Sequence, residues 1–87
     1  MTEREIELLG FEKQIEESHP KYHYYTYKVS NGVDFITNAS DEVGEDGEWY
    51  VEFFDSDPTI RFTKFGEVQS LLNLLEKRVI QKSYEDA

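Results

Sequence analysis

The chain contains no cysteine, which excludes disulfides and thiolate metal sites and leaves the redox compartment unmarked. Proline is nearly as scarce, with two residues. Both read as punctuation, Pro20 closing a strand and Pro58 sitting in a turn. No apolar run approaches the roughly 20 residues that span a bilayer. The acidic start, Met1-Thr2-Glu3-Arg4-Glu5, lacks the apolar core of a signal peptide, so a cytoplasmic protein is expected. Basic residues are missing altogether from Val29 to Ile60. Asp34, Asp41, Glu42, Glu45, Asp46, Glu48, Glu52, Asp55 and Asp57 all fall in that stretch.

Nineteen acids against nine bases give a formal net charge of −10. Such a charge repels nucleic acid and anionic membranes, so neither is expected as a direct partner. A protein with a basic surface is the partner this balance favours, and a merely solubilising acidic surface is the plainer alternative.

Catalytic patterns are also missing. There is no G-x-S-x-G, no P-loop and no G-x-G-x-x-G. The two histidines, His19 and His23, lie next to a turn and read as surface residues. The acidic stretch 41–48 could suggest a calcium loop. An EF-hand pattern fails there, because Val43 takes a ligand position and Asp46 the position that needs glycine. No enzyme activity, metal or cofactor is expected.

What the chain does have is aromatic mass. Six Tyr, six Phe and one Trp make up 15% of its 87 residues, each able to bury roughly 150–250 Å². A disordered acidic chain would lack them. The length suits one domain, 1–87, with 83–87 expected to fray.

Thr2 and Glu5 are spaced as a capping box. A short helix should follow to Leu9, with Gly10 at the left-handed position past its end and Phe11 packing back on Ile6. Phe11–Ser18 reads as an edge strand carrying Lys13, Tyr22–Val29 as a strong strand, and Val33–Ala39 as its hairpin partner. A two-residue turn would set Lys28 against Phe35. A three-residue turn pairs Val29 with Val33, Tyr27 with Phe35 and Tyr25 with Thr37, gathering the apolar side chains on one face with Gly32 in a bulge. After the acidic loop, Trp49–Asp55 should be a strand. A turn at Asp55–Pro58 would set Phe53 against Ile60 and Val51 against Phe62 on a last strand, Thr59–Thr63. Val68, Leu71, Leu72, Leu75 and Val79 fall at helical spacing in Phe65–Lys82, with Thr63 as its cap.

The expected architecture is α+β: a five-stranded antiparallel meander sheet with a short N-terminal helix and a long C-terminal helix packed on one face. The alternation assigns Tyr25, Tyr27, Val29, Val33, Phe35, Trp49, Val51, Phe53, Ile60 and Phe62 to the inner face. The outer face receives Tyr22, Tyr24, Asp34, Ile36, Tyr50, Glu52 and Phe54. Aromatics interleaved with carboxylates suit a protein-binding surface, since Tyr offers contact area at low entropic cost and carboxylates pair with Lys or Arg. Two blander readings are that the N-terminal helix covers this face through Ile6, Leu8 and Leu9, or that the face self-associates.

Leu9-Gly10-Phe11, Tyr24-Tyr25-Thr26-Tyr27, Ser40-Asp41-Glu42, Trp49-Tyr50-Val51-Glu52 and the Leu-rich terminal helix together resemble small uncharacterised acidic proteins encoded by phages and prophages. The resemblance spans most of the chain. It implies an accessory protein of a mobile element, a class that includes inhibitors of host defence nucleases. Acids fixed on a rigid sheet can imitate backbone phosphates and occupy the basic groove of a nucleic-acid enzyme. The expected function is therefore non-enzymatic binding, sharpened to inhibition of a nucleic-acid-handling enzyme. Its acids would be Asp34, Asp41, Glu42, Glu45, Asp46, Glu48, Glu52, Asp55 and Asp57, with Tyr22, Tyr24, Tyr50 and Phe54 as anchors. The alternative is a homodimer formed through the outer face.

Overall fold

A computed structural model describes the backbone of residues 1–30 and 33–85, and the side chains of these residues except 20, 30 and 77–85. The order is α1 (Glu3–Leu8), β1 (Glu12–Glu16), β2 (His19–Ser30), β3 (Val33–Thr37), β4 (Val51–Phe53), β5 (Arg61–Phe62) and α2 (Phe65–Glu85). The strands form one sheet in the order β1-β2-β3-β4-β5, every pair antiparallel. This is an α+β fold with a five-stranded meander and two helices.

The capping box forms as its spacing dictates. The Thr2 hydroxyl accepts from the Glu5 N–H at 3.2 Å, and the Glu5 carboxylate accepts from the Thr2 N–H at 2.8 Å. Gly10 takes φ +93°, and its N–H donates to the Glu7 carbonyl at 3.0 Å, ending the helix. A side chain would be strained at that φ.

Register follows the apolar pairing. Tyr27 lies opposite Phe35, and Val51 opposite Phe62. The Phe53 N–H donates to the Ile60 carbonyl at 3.3 Å. At the hairpin end the register slips, so that Ser30, not Val29, faces Val33. The expected position of Gly32 in a bulge lies outside the described residues.

Both helices pack on the same face of the sheet. Ile6 of α1 and Val68 of α2 are fully buried in one core with Tyr25, Phe35 and Val51. Burying each such side chain contributes about 1.5–3 kcal/mol. The described packing of α2 runs over 65–76, about three turns. The long helical cover expected as far as Lys82 is thus reduced to Val68, Leu71, Leu72 and Leu75. The helix bounds run on to Glu85, and the expectation for 86–87 lies outside the described residues.

Several boundaries differ from expectation for identifiable reasons. β2 begins at His19, directly after a two-residue turn, and runs through Pro20 instead of starting at Tyr22. β4 keeps only Val51–Phe53 of the expected Trp49–Asp55. The Trp49 N–H is taken by the Met1 carbonyl at 2.7 Å and the Tyr50 N–H by Asn38 Oδ1 at 2.9 Å. At the other end, Asp55 turns at φ +59°. Thr63 does not cap α2, because the Val68 N–H bonds to the Lys64 carbonyl. The Thr63 carbonyl instead receives the Met1 ammonium at 3.0 Å. Ile60 is 45% exposed rather than in the core.

Candidate functional site

With both helices on one face, the opposite face of the sheet carries neither. α1 does not cover it: Ile6 is in the inner core and Leu8 is 62% exposed. Strand pairing fixes which side chains stand there. One row runs Glu12, Thr26, Ile36, Glu52, Arg61, and beside it Lys28 stands opposite Asp34.

At one end of this face, β2 carries a bulge. Ile15 pairs with His23 but the next residue, Glu16, pairs with His19, so that residues 20–22 have no partner on β1. Ser40 holds the bulge from the other side. Its hydroxyl accepts from the His23 N–H at 3.0 Å and donates to the Lys21 carbonyl at 3.1 Å, while its N–H donates to the His23 carbonyl at 2.8 Å. The following turn closes on itself, with the Ala39 N–H donating to Glu42 Oε1 at 3.0 Å and the Glu42 N–H to the Ala39 carbonyl at 2.9 Å. These bonds bring Asp41 and Glu42 beside Tyr22, whose ring meets Tyr24 edge-on at 6.2 Å. Burial raises the Tyr22 hydroxyl pKa above its ordinary value, and the charges of Asp41, Glu42 and Glu16 add to the rise. Two open hollows flank Tyr22. One, of about 580 Å³, is bordered by Glu16, His19, Lys21, Ser40 and Asp41; the other, of about 310 Å³, by Glu16, Tyr24, Ile36 and Glu42.

At the opposite end, Asp34 and Phe54 share a hollow of about 280 Å³ with Tyr24, Thr26, Lys28 and Ile36. The Phe54 N–H donates to the Asp34 carbonyl at 2.9 Å, and the Phe54 ring is 60% exposed. Asp34 Oδ1 is buried and has no hydrogen-bond partner among the described residues.

Between these ends the one-sign field read from sequence is interrupted. Arg61 enters from β5, and its Nη2 and Nε lie 2.9 and 3.0 Å from Glu52 Oε2. Its guanidinium sits 3.9 Å above the Tyr50 ring. Glu52 and Tyr50 are therefore already engaged within the chain. Glu48 is likewise bound, to the Met1 ammonium at 2.8 Å, and Asp46 Oδ1 accepts the Glu48 N–H at 3.1 Å. The structure thus joins Tyr22, Tyr24, Asp41 and Glu42 at one end and Asp34 with Phe54 at the other. Glu45, Asp55 and Asp57 stand exposed on loops.

The inner side holds polar residues whose roles sequence reasoning missed. His23 is not a surface residue. Its Nε2 lies 2.6 Å from Glu3 Oε2, and its ring stacks on Trp49 at 5.7 Å. The Tyr25 hydroxyl donates to the same Glu3 oxygen at 2.8 Å. Burial, then this hydrogen bond, pushes the Tyr25 hydroxyl well above the ordinary tyrosine range. For Glu3, burial pushes the carboxyl up, but the bonds from Tyr25 and His23 outweigh it and hold the group below 4.5. Tyr27 donates to Glu76, which raises its hydroxyl to about 12. Asn38 is 4% exposed, and its Nδ2 donates to the Glu48 carbonyl at 3.3 Å. The signal for Asn38 was its place at the mouth of the acidic loop, where a side-chain amide can satisfy strand ends.

Among the described residues no three His, Asp or Glu side chains gather as a metal site, and no helix is long and apolar enough to cross a membrane. Comparison with protein-family models, with curated proteins and with solved structures finds no match to this chain.

Proposed function

We propose that this is a non-enzymatic binding protein that engages a basic protein surface through the bare face of its sheet, acting in the cytoplasm. The observation that carries the reading is the packing of both helices on one side, which leaves Tyr22, Tyr24, Ile36 and Phe54 bordered by carboxylates on the other. Aromatic centres with charged rims are the usual composition of recognition surfaces. Asp41 and Glu45 are exposed, free to steer a cationic partner at long range.

In its sharper form the partner is a nucleic-acid-handling enzyme, and the protein is a phage-type inhibitor that takes the place of backbone phosphates. The net charge of −10 supports that form. Internal engagement of Glu42, Glu48 and Glu52 shifts its weight to the exposed Asp41 and Glu45. A homodimer through the same face is the second reading, favoured by the exposure of Phe54.

The test is a pull-down from a host lysate, eluted by salt and repeated with excess duplex DNA, then a comparison with the double variant Asp41→Lys, Glu45→Lys. Recovery of a basic nucleic-acid-binding protein released by both treatments, with affinity falling at least about tenfold in the variant and stability changing by less than about 0.5 kcal/mol, is expected. Unchanged affinity would refute the electrostatic reading. Light scattering that shows a concentration-dependent dimer would favour the homodimer.

A further inference from the structure

The bare face carries the same set of chemical groups twice. In the first set, the Glu52 carboxylate and the Tyr50 ring hold Arg61 between them, with nitrogens at 2.9 and 3.0 Å from the carboxylate and the guanidinium carbon 3.9 Å from the ring centroid. In the second, Asp34 lines one hollow with Phe54 and Tyr24, its Oδ1 covered by the chain itself, and Lys28 is the only base among the described lining residues. Lys28 faces Asp34 directly across the β2–β3 ladder, yet the two form no ion pair among the described residues, and Asp34 Oδ1 is buried without a donor. A buried carboxylate oxygen that lacks a partner is costly to the fold. Its presence is explained when the donor arrives with a ligand.

We propose that the Asp34–Phe54–Tyr24 hollow is the receiving site for a single arginine side chain of a protein partner. The assignment rests on the bare face being the partner surface and adds the point at which the partner inserts. A volume of about 280 Å³ falls just below the roughly 300–1,000 Å³ of small-molecule sites and suits one long side chain. Ile36 supplies an apolar floor for the methylene stem, and the rings supply faces for the cation. Arginine fits better than lysine for the reason seen at Arg61. A planar guanidinium stacks on a ring while two of its N–H groups reach a carboxylate, and it is less strongly hydrated than an ammonium. Lys28 at the rim, paired with nothing described, is displaced outward when the guanidinium enters.

The experiment uses the whole chain, labelled with nitrogen-15, titrated with the blocked peptide Gly-Gly-Arg-Gly-Gly and with its lysine and citrulline counterparts. The arginine peptide is expected to shift the amides of Tyr24, Asp34, Ile36 and Phe54, with a dissociation constant on the order of millimolar. Citrulline, with the same shape and no charge, should shift none of them. Asp34→Asn should weaken binding at least about tenfold while leaving the melting temperature unchanged or higher. That combination would not follow from a structural role. Phe54→Ala, at an exposed ring, should weaken binding severalfold with the fold intact. Equal shifts with citrulline or with Asp34→Asn overturn the proposal, as does an absence of shifts. Equal binding of the lysine peptide overturns the assignment to arginine. Shifts confined to Tyr22, Asp41 and Glu42 overturn this site while leaving the wider binding face standing, and the loop charge reversal judges that face separately.

Discussion

The two faces of the sheet treat polar groups differently. On the inner face the buried polar groups among the described residues have partners, several supplied from far along the chain. The Met1 ammonium is shared by Glu48, the Trp49 carbonyl and the Thr63 carbonyl. Tyr25 is answered by Glu3, Tyr27 by Glu76, and Asn38 by the backbone on either side of Trp49. On the outer face Asp34 Oδ1 has no described partner and Phe54 stands bare. Among the described residues the inner polar groups are paired, whereas an outer carboxylate oxygen is not. The inner face holds the fold, and the outer face carries the groups on which the proposed contact rests.

Breaking the inner face should cost most. Phe35 is fully buried and its ring packs at a tilt against Phe53, with centroids 4.7 Å apart, so Phe35→Ala should lose about 3–5 kcal/mol in urea unfolding. Phe54→Ala, one strand away on the other face, should change stability by less than about 0.5 kcal/mol. Similar losses for the two variants would erase the distinction between the faces.

A smaller effect should follow from acid. The Glu3 carboxyl sits below 4.5 in the folded chain and returns to about that value when unfolded. The unfolded state therefore binds more protons in this range. The stabilisation is fully present above pH 4.5 and is lost as pH falls through the lower folded value. Urea unfolding followed downward from neutral pH should show this decline in the wild type, and Glu3→Gln should flatten it. An unchanged slope in the variant would mean that Glu3 does not anchor α1 to Tyr25 and His23.

A small change in stability should also come from Arg61→Ala. The guanidinium is 52% exposed, and pairs of this kind contribute about 0.2–1 kcal/mol. The variant sharpens the comparison in another way. With Arg61 gone, Glu52 and Tyr50 become a second set like that at Asp34, and the arginine peptide should then also shift the Tyr50 and Glu52 amides. If it does not, a carboxylate beside a ring is not sufficient on this face.

Much of the fold was legible because it is local. The Thr2–Glu5 box, the left-handed Gly10 and the Val51–Phe62 register follow from spacing and turn length, and the Tyr27–Phe35 pairing follows from the apolar pattern, kept by a register shift between Lys28 and Ser30 where the expected Val29–Val33 pair did not form. What sequence could not yield was long-range. The Met1 ammonium reaches residues 47, 48 and 62 positions away, and no periodicity encodes that. β4 is shorter than its aromatic content suggests because Met1 and Asn38 take the amides of Trp49 and Tyr50. The base-free stretch was real as sequence, but β5 folds Arg61 back onto it. Alternation correctly set Tyr24, Asp34 and Glu52 on one face. It could not say that α1 would join α2 on the other.

The sheet also tapers, from the twelve residues of β2 to the two of β5. Its order follows the chain, so every strand pairs only with its sequence neighbours. Amide exchange should therefore be slowest along β2 and β3 and quicken toward β5. The arginine hollow straddles that gradient. Tyr24 and Asp34 belong to the slow side, and Phe54, just past the end of β4, is tied to it by its N–H on the Asp34 carbonyl. The hollow thus has one wall built into the long strands and one exposed ring anchored to that wall through its backbone.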